Sequence, residues 1–152
     1  MVMALKLFDF EDCVREGLLR SVPPSRERAD ASMKTARKWL SEAAKGLGSS
    51  AFNSSVLSSY LSMFHSSRAI LFLDGFREKS HYCIARYLEE KYAKKNLLET
   101  KWIKLLDHYR EIRHNNQYNI EFFSSKEDAE NAFKNAKEFL DRMEILLKNK
   151  SK

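Results

Sequence analysis

The chain has 152 residues, of which 43% are hydrophobic and 32% are charged, and its net charge is +6. This length fits one domain, and a content of two prolines and four glycines leaves long segments that favour helix. No segment approaches the roughly eighteen apolar residues of a transmembrane helix, and the first residues become acidic too soon for a signal peptide. We therefore expect a single all-α domain, 1–152, located in the cytoplasm and without a membrane partner.

The positive charge is concentrated in the middle of the chain. Residues 77–114 contain ten Lys and Arg against six Asp and Glu, which favours an anionic partner there. Cys13 and Cys83 belong to no Cys-x-x-Cys or Cys/His ligand pattern, and we interpret both as reduced thiols. Glycine-rich phosphate loops and metal-spaced histidine pairs are missing from the sequence, so we expect no metal and no cofactor. His65 and His81 stand beside apolar residues on predicted helices, where a structural role is the more common one.

The N-terminal half of the chain shows helical spacing interrupted by helix breakers. Residues 5–20 follow a loose helical pattern that a double proline ends, which predicts a peripheral N-terminal helix within 1–22. Ser25 can cap a second helix that should run to about Lys45. A third helix starts in the polar connection 48–55, and its many small residues permit close approach of neighbouring helices.

The C-terminal half continues the series. The third helix should end at Asp74-Gly75, the fourth should run from Ser80-His81 to Lys94-Lys95-Asn96, and the fifth should begin near Glu99-Thr100. The sequence Ser124-Ser125-Lys126-Glu127 is a capping-box pattern that predicts the start of a sixth helix, and 148–152 should be a disordered tail. No alternation is long enough for a β-sheet. The prediction is an up-and-down antiparallel helical bundle of five to six helices.

The stretch from His108 to Tyr118 is the best candidate site because it holds two arginines, two histidines and three carboxamides. Apolar residues at helical spacing lead into it: Trp102, Leu105, Leu106, Tyr109 and Ile112. Arg113 and Asn116 continue this apolar face. An arginine on the buried side of a helix is rare unless an anion or a partner meets it. Alternatively, Arg113 lies at a frayed helix end and reaches water along its aliphatic stem.

Three segments together resemble the HEPN superfamily, the higher eukaryotes and prokaryotes nucleotide-binding domain. They are Met63-Phe64-His65-Ser66-Ser67-Arg68-Ala69-Ile70-Leu71-Phe72-Leu73-Asp74-Gly75-Phe76, then Lys79-Ser80-His81, then the arginine-rich stretch ending at Tyr118. The likeness extends over about residues 25–147 and is greatest to the small stand-alone prokaryotic and archaeal members. It implies a helical bundle that forms a homodimer, with the polar motif of each subunit facing a shared cleft. Many relatives are metal-independent ribonucleases, often toxins paired with a small nucleotidyltransferase antitoxin.

The motif of those ribonucleases is an arginine followed after four to six residues by a histidine. Here Arg113 is followed after four residues by Tyr118, which resembles a subgroup in which tyrosine holds the histidine's place, whereas Arg110 and His114 are one residue too close. A second route uses Asp107, Arg110 and His114, which share one helical face. Asp107 could then pair with Arg110, and His114 could act as the base. Alternatively, these three residues form a solvated, salt-bridged face.

The first hypothesis is a homodimeric RNA- or nucleotide-binding protein, belonging to a toxin–antitoxin or defence pair, that can act as a metal-independent endoribonuclease. Arg110 and Arg113 would hold phosphate, Asn115 and Asn116 would donate hydrogen bonds, and Tyr118 would stack on a base or hydrogen-bond. In cleavage, Arg113 would stabilise the charge on the phosphorane. The alternative is a catalytically inactive HEPN binding module that partners a minimal nucleotidyltransferase. A third reading is a plain helical scaffold.

Overall fold

The computed structural model describes residues 7–119 and 121–150 and confirms an all-α helical bundle. In chain order its elements are α1 (Phe10–Arg15), β1 (Leu19–Ser21), α2 (Arg26–Gly48), α3 (Phe52–Asp74), β2 (Phe76–Glu78), α4 (His81–Leu88), a π-helical turn (Glu89–Ala93), α5 (Thr100–Tyr118) and α6 (Lys126–Lys150). Among the helices of these two ranges, none combines the length and the apolar character needed to cross a bilayer.

Helix α3 is the centre of the bundle, because it packs against α2, α4, α5 and α6. Its buried serines leave room for a close neighbour, and the Ser55 hydroxyl donates a hydrogen bond of 2.7 Å to the Ala43 carbonyl of α2. Gly46 meets the start of α3 so closely that an added Cβ would lie 3.2 Å from Ser55 N. This contact favours a residue without a side chain inside α2, and the helix continues through Gly46 to Gly48 instead of ending near Lys45 as predicted.

Local capping fixes several helix ends where the sequence predicted them. The Ser25 side chain accepts a hydrogen bond of 3.0 Å from Arg28 N and begins α2, and Gly75 ends α3 with a φ of +90°. The capping box of α6 lies one residue later than predicted. It pairs Ser125 with Asp128, through bonds of 2.9 and 3.0 Å between each backbone N–H and the other side chain.

The segment before α2 is less helical than predicted. Only Phe10–Arg15 is helical within the expected helix 5–20, and residues 1–6 lie outside the described part of the chain. Strand β1 follows, and Leu19 pairs antiparallel with Glu78 of β2. The expectation of no sheet was therefore wrong. Strands of three residues are too short to give a recognisable alternation, and their pairing depends on a contact between distant segments.

The interpretation of Cys13 and Cys83 as reduced thiols was also wrong, since the two residues form a disulfide bond with a Cα–Cα distance of 5.9 Å. They are 70 residues apart in the sequence, and α1 packs against α4 to bring them together. This distance lies within the range that a disulfide can bridge. Spacing along the chain gave no signal, because the contact is created by the packing of two helices.

The end of α6 is held against the end of α3. The Asp74 carboxylate accepts hydrogen bonds from the hydroxyls of Tyr87 and Tyr92, at 2.7 and 2.5 Å, and lies 2.9 Å from the Lys150 ammonium. Helix α6 therefore continues to Lys150, where the sequence predicted a disordered tail from 148 onward. Residues 151 and 152 of that tail lie outside the described residues.

Candidate functional site

A groove of about 420 Å³ lies between the beginning of α4 and the second half of α5. It is lined by Ser80, His81, Tyr82, Arg110, Arg113 and His114. Arg110, Arg113 and His114 share one face of α5, because they are three and four residues apart on a helix. The other wall is formed by residues 80–82, at the start of α4 and shortly after the end of β2.

Arg113 lies half-buried in this groove. Its Nε atom is buried without a hydrogen-bond partner, and no carboxylate of residues 7–119 or 121–150 forms an ion pair with it. Removing a guanidinium from water without a partner costs several kcal/mol (roughly, for a fully buried ion), so an anion placed here would be stabilised. The predicted position of Arg113, continuing the apolar face of α5 into a partly buried site, agrees with this arrangement.

Arg110 is held in place by a carboxylate and by an aromatic ring. Its Nη2 atom lies 3.5 Å from Asp107 Oδ1, which confirms the predicted pair, and its guanidinium lies 5.0 Å from the centre of the Tyr82 ring. Arg86 contacts the same two residues, with Nη2 2.5 Å from Asp107 Oδ2 and the guanidinium 4.6 Å from the Tyr82 ring. One carboxylate thus faces two arginines. The groove keeps an excess of positive charge.

His81 contributes an imidazole to the groove from the first turn of α4. Its Nδ1 atom lies 2.8 Å from the Tyr60 hydroxyl, and its ring stacks on Phe64 with 4.0 Å between the ring centres. Burial, and after it the charge of Arg113, lower the pKa of His81 to about 4. The imidazole is therefore neutral at physiological pH. The sequence predicted only a structural role for this residue, yet the structure places it in the groove beside Arg113.

The remaining predicted site residues lie toward the end of α5. His114 is exposed and lines the groove, and its ring centre lies 4.9 Å from that of Tyr118, whose exposed fraction is 69%. Asn115 is exposed, whereas the Asn116 amide donates a hydrogen bond of 2.9 Å to the Asn53 carbonyl of α3. Asn115, Asn116 and Tyr118 do not line the groove. The structure therefore brings Arg110, Arg113 and His114 together.

Three groove residues, Ser80, His81 and Tyr82, were not predicted as site residues. The sequence identified Ser80-His81 as a helix start and as part of the family resemblance, and nothing local indicates that this start faces α5. In the described part of the chain, no three His, Cys, Asp or Glu side chains are grouped so that they could hold a metal ion. The groove offers hydrogen-bond donors from arginine and imidazole, and positive charge from Arg110 and Arg113.

The sequence also matches a known protein family. The model of the HEPN domain family matches residues 29–146, a span that begins in α2, ends in α6 and includes every residue that lines the groove. A search of curated proteins returned no significant match.

Proposed function

Because the chain belongs to the HEPN domain family, we propose that it binds RNA or a nucleotide in the groove between α4 and α5. The observation that carries this proposal is the state of Arg113. Its guanidinium is half-buried beside Arg110, and no carboxylate in the described ranges pairs with it. A phosphate would provide the missing counter-charge and would accept two hydrogen bonds from the planar guanidinium.

The surroundings of Arg113 suit a nucleic acid better than an isolated small anion. The net charge of +6 attracts a polyanion over long distances. Tyr118, which is 69% exposed at the end of α5, offers a ring on which a base can stack. Asn115 is exposed beside it, and Asn116 keeps one amide hydrogen for a ligand while the other bonds to Asn53.

We propose that the same groove can cleave RNA without a metal. In that reaction the 2′-hydroxyl loses its proton to His114, the 2′-oxygen attacks phosphorus, and the bond to the 5′-oxygen breaks as that oxygen takes a proton from water. Arg113 stabilises the extra negative charge on the phosphorane. The products are a 2′,3′-cyclic phosphate and a 5′-hydroxyl end.

The second candidate function is a binding module that does not cleave RNA and instead partners a minimal nucleotidyltransferase. Tyr118 favours it, because this residue occupies the position of the motif histidine and lies outside the groove. A phenol ionises near pH 10 in water (about three units above neutrality), which makes it a poor base. In both candidates the protein is a homodimer whose two grooves face each other. We also propose that it belongs to the Arg-x4-Tyr subgroup of small prokaryotic and archaeal members, and that it acts in a toxin–antitoxin or defence pair.

Binding is tested by fluorescence anisotropy with a labelled single-stranded RNA of about twelve nucleotides. Arg113→Ala should weaken binding by about tenfold or more, since it removes charged hydrogen bonds to phosphate. The matched control is Arg37→Ala, because Arg37 is an exposed arginine of α2 paired with Glu144 and lies outside the groove. Equal affinity of the two variants would refute the proposal.

Cleavage is tested with the same RNA in the presence of EDTA. The proposed reaction predicts products ending in a 2′,3′-cyclic phosphate, loss of cleavage in Arg113→Ala and His114→Ala, and no cleavage of RNA carrying 2′-O-methyl groups. Binding of RNA without cleavage by the wild-type protein would instead select the inactive module, and co-purification with a nucleotidyltransferase partner would then be expected.

A further inference from the structure

The hydrogen bond between Tyr60 and His81 determines which nitrogen of the imidazole carries the proton. Tyr60 is 1% exposed, and among the described residues its hydroxyl has His81 Nδ1 as its hydrogen-bond partner, at 2.8 Å. Burial raises the pKa of Tyr60, so the hydroxyl keeps its proton. A buried hydroxyl that did not donate would leave its hydrogen unsatisfied. Tyr60 therefore donates to Nδ1, and the proton of the neutral imidazole is on Nε2.

The Nε2–H group of His81 is the part of this side chain that can bind a ligand. His81 Nε2 forms no hydrogen bond to a described residue and is not fully buried, and His81 is one of the residues that line the groove. The ring plane is fixed by stacking on Phe64, at an interplanar angle of 14°. A donor held in one orientation loses little entropy when it binds a ligand.

We propose that His81 is a phosphate-binding residue of this groove, and that its neutral imidazole donates the Nε2–H to a phosphate oxygen of RNA bound by Arg113. This inference rests on the proposed function, because the ligand is the same RNA. It adds a residue from α4 that lies outside the arginine-rich motif of α5. Tyr60 is then a positioning residue, since it sets the tautomer of His81 without touching the RNA.

The charges around His81 give the proposal a pH dependence. The titratable and charged groups that face it are Arg110, Arg113 and His114 from α5, and Tyr60, His65 and Arg68 from α3. A bound phosphodiester offsets the positive charge of the arginines, so the pKa of His81 rises from about 4 when RNA binds. The complex then holds more protons than the free protein, and the affinity for RNA increases as the pH falls from about 7.5 to about 5.5.

The tautomer is measured directly on the wild-type protein by ¹⁵N NMR of the histidine side chains. The expected result is a protonated Nε2 and an unprotonated Nδ1 for His81 at about pH 7.5, with a shift of its Nε2 signal on addition of the single-stranded RNA. In Tyr60→Phe the tautomer preference should weaken. Finding the proton on Nδ1 in the wild-type protein, or no change at His81 with saturating RNA, would overturn the proposal.

Variants of His81 separate the effect of its N–H donor from the effect of the imidazole ring. His81→Leu should weaken RNA binding by about tenfold and should flatten the pH dependence, whereas His81→Gln, which retains an N–H donor, should stay within about threefold of wild type. His65→Leu is the matched control, because His65 contacts the same Phe64 ring, at 5.0 Å, but lines a different depression.

The outcomes also distinguish this inference from the proposed function. Full affinity of His81→Leu together with weak binding by Arg113→Ala would refute the role of His81 and retain the groove. No RNA binding by the wild-type protein would refute both. If His81→Leu melts below the assay temperature, the ¹⁵N NMR titration of the wild-type protein decides, because an unchanged His81 Nε2 signal at saturating RNA would overturn the proposal.

Discussion

Asp107 on α5 lies between two arginines and is bound most closely by Arg86 of α4. The distance from Asp107 Oδ2 to Arg86 Nη2 is 2.5 Å, and Asp107 Oδ1 lies 3.5 Å from Arg110 Nη2. The side chains of Arg86 and Asp107 are 12% and 27% exposed, so water screens this pair less than a surface pair. The contact joins the two helices that form the walls of the groove.

We predict that Asp107→Asn lowers the free energy of unfolding by about 1–3 kcal/mol, because two partly buried arginines lose their shared counter-charge. Urea denaturation followed by circular dichroism measures the change. Asp141→Asn provides the control, since Asp141 is exposed on α6 and its replacement should cost less than about 0.5 kcal/mol. Equal stability of the two variants would show that Asp107 does not stabilise the junction of α4 and α5.

The end of α3 depends on the absence of a side chain at Gly75. Gly75 has a φ of +90°, and an added Cβ would lie 2.8 Å from the Val22 carbonyl oxygen. Gly17 also has a positive φ, of +72°, but an added Cβ would meet no atom within 4 Å there. We therefore predict that Gly75→Ala is more destabilising than Gly17→Ala. The left-handed conformation costs about 1–2 kcal/mol in both, and the clash with Val22 adds to this cost only at position 75. Thermal unfolding of the two variants tests the order, and a larger effect at Gly17 would contradict the contact.

The disulfide between Cys13 and Cys83 should stabilise the protein by restricting its unfolded chain. A closed loop of 70 residues corresponds to about 4 kcal/mol in the chain-entropy treatment. We predict that the oxidised protein shows no free thiol after denaturation, and that reduction lowers the midpoint of urea unfolding. Two reactive thiols in non-reduced, denatured protein would show that the bond does not form. Reduced thiols are typical of cytoplasmic proteins, so the disulfide does not provide the support that reduced cysteines would have given to the predicted cytoplasmic location.

His65 should make the protein less stable in mild acid. Burial, and after it the charge of Arg68, lower the pKa of His65 from 6.5 to about 4. Between these values the unfolded chain binds a proton that the folded protein does not, so the free energy of unfolding falls as the pH decreases from about 7 toward 4. His81 contributes with the same sign. We predict that His65→Gln reduces the slope of unfolding free energy against pH. Urea unfolding at several pH values measures it, and identical slopes would contradict the burial of His65.

Local residue patterns were enough to predict several helix ends and one face of the candidate site. Ser25 and Gly75 mark helix ends because a cap and a positive φ depend on a few neighbouring residues. The apolar spacing of α5 likewise placed Arg113 at the partly buried edge of the bundle, because helical periodicity determines which side chains share a face.

The residues that face Arg113 could not be predicted from local patterns, because they come from a distant part of the chain. Three contacts join segments that are distant in the sequence. They are the approach of His81 to the Arg113 groove, the disulfide between Cys13 and Cys83, and the pairing of β1 with β2. Such contacts arise when helices pack, and a local pattern of residues carries no information about the distance between two segments. The position of the Arg113 charge could therefore be predicted from the spacing of its own helix. The neutral imidazole of His81 lies in the same groove because α4 packs against α5, and the sequence does not show this packing.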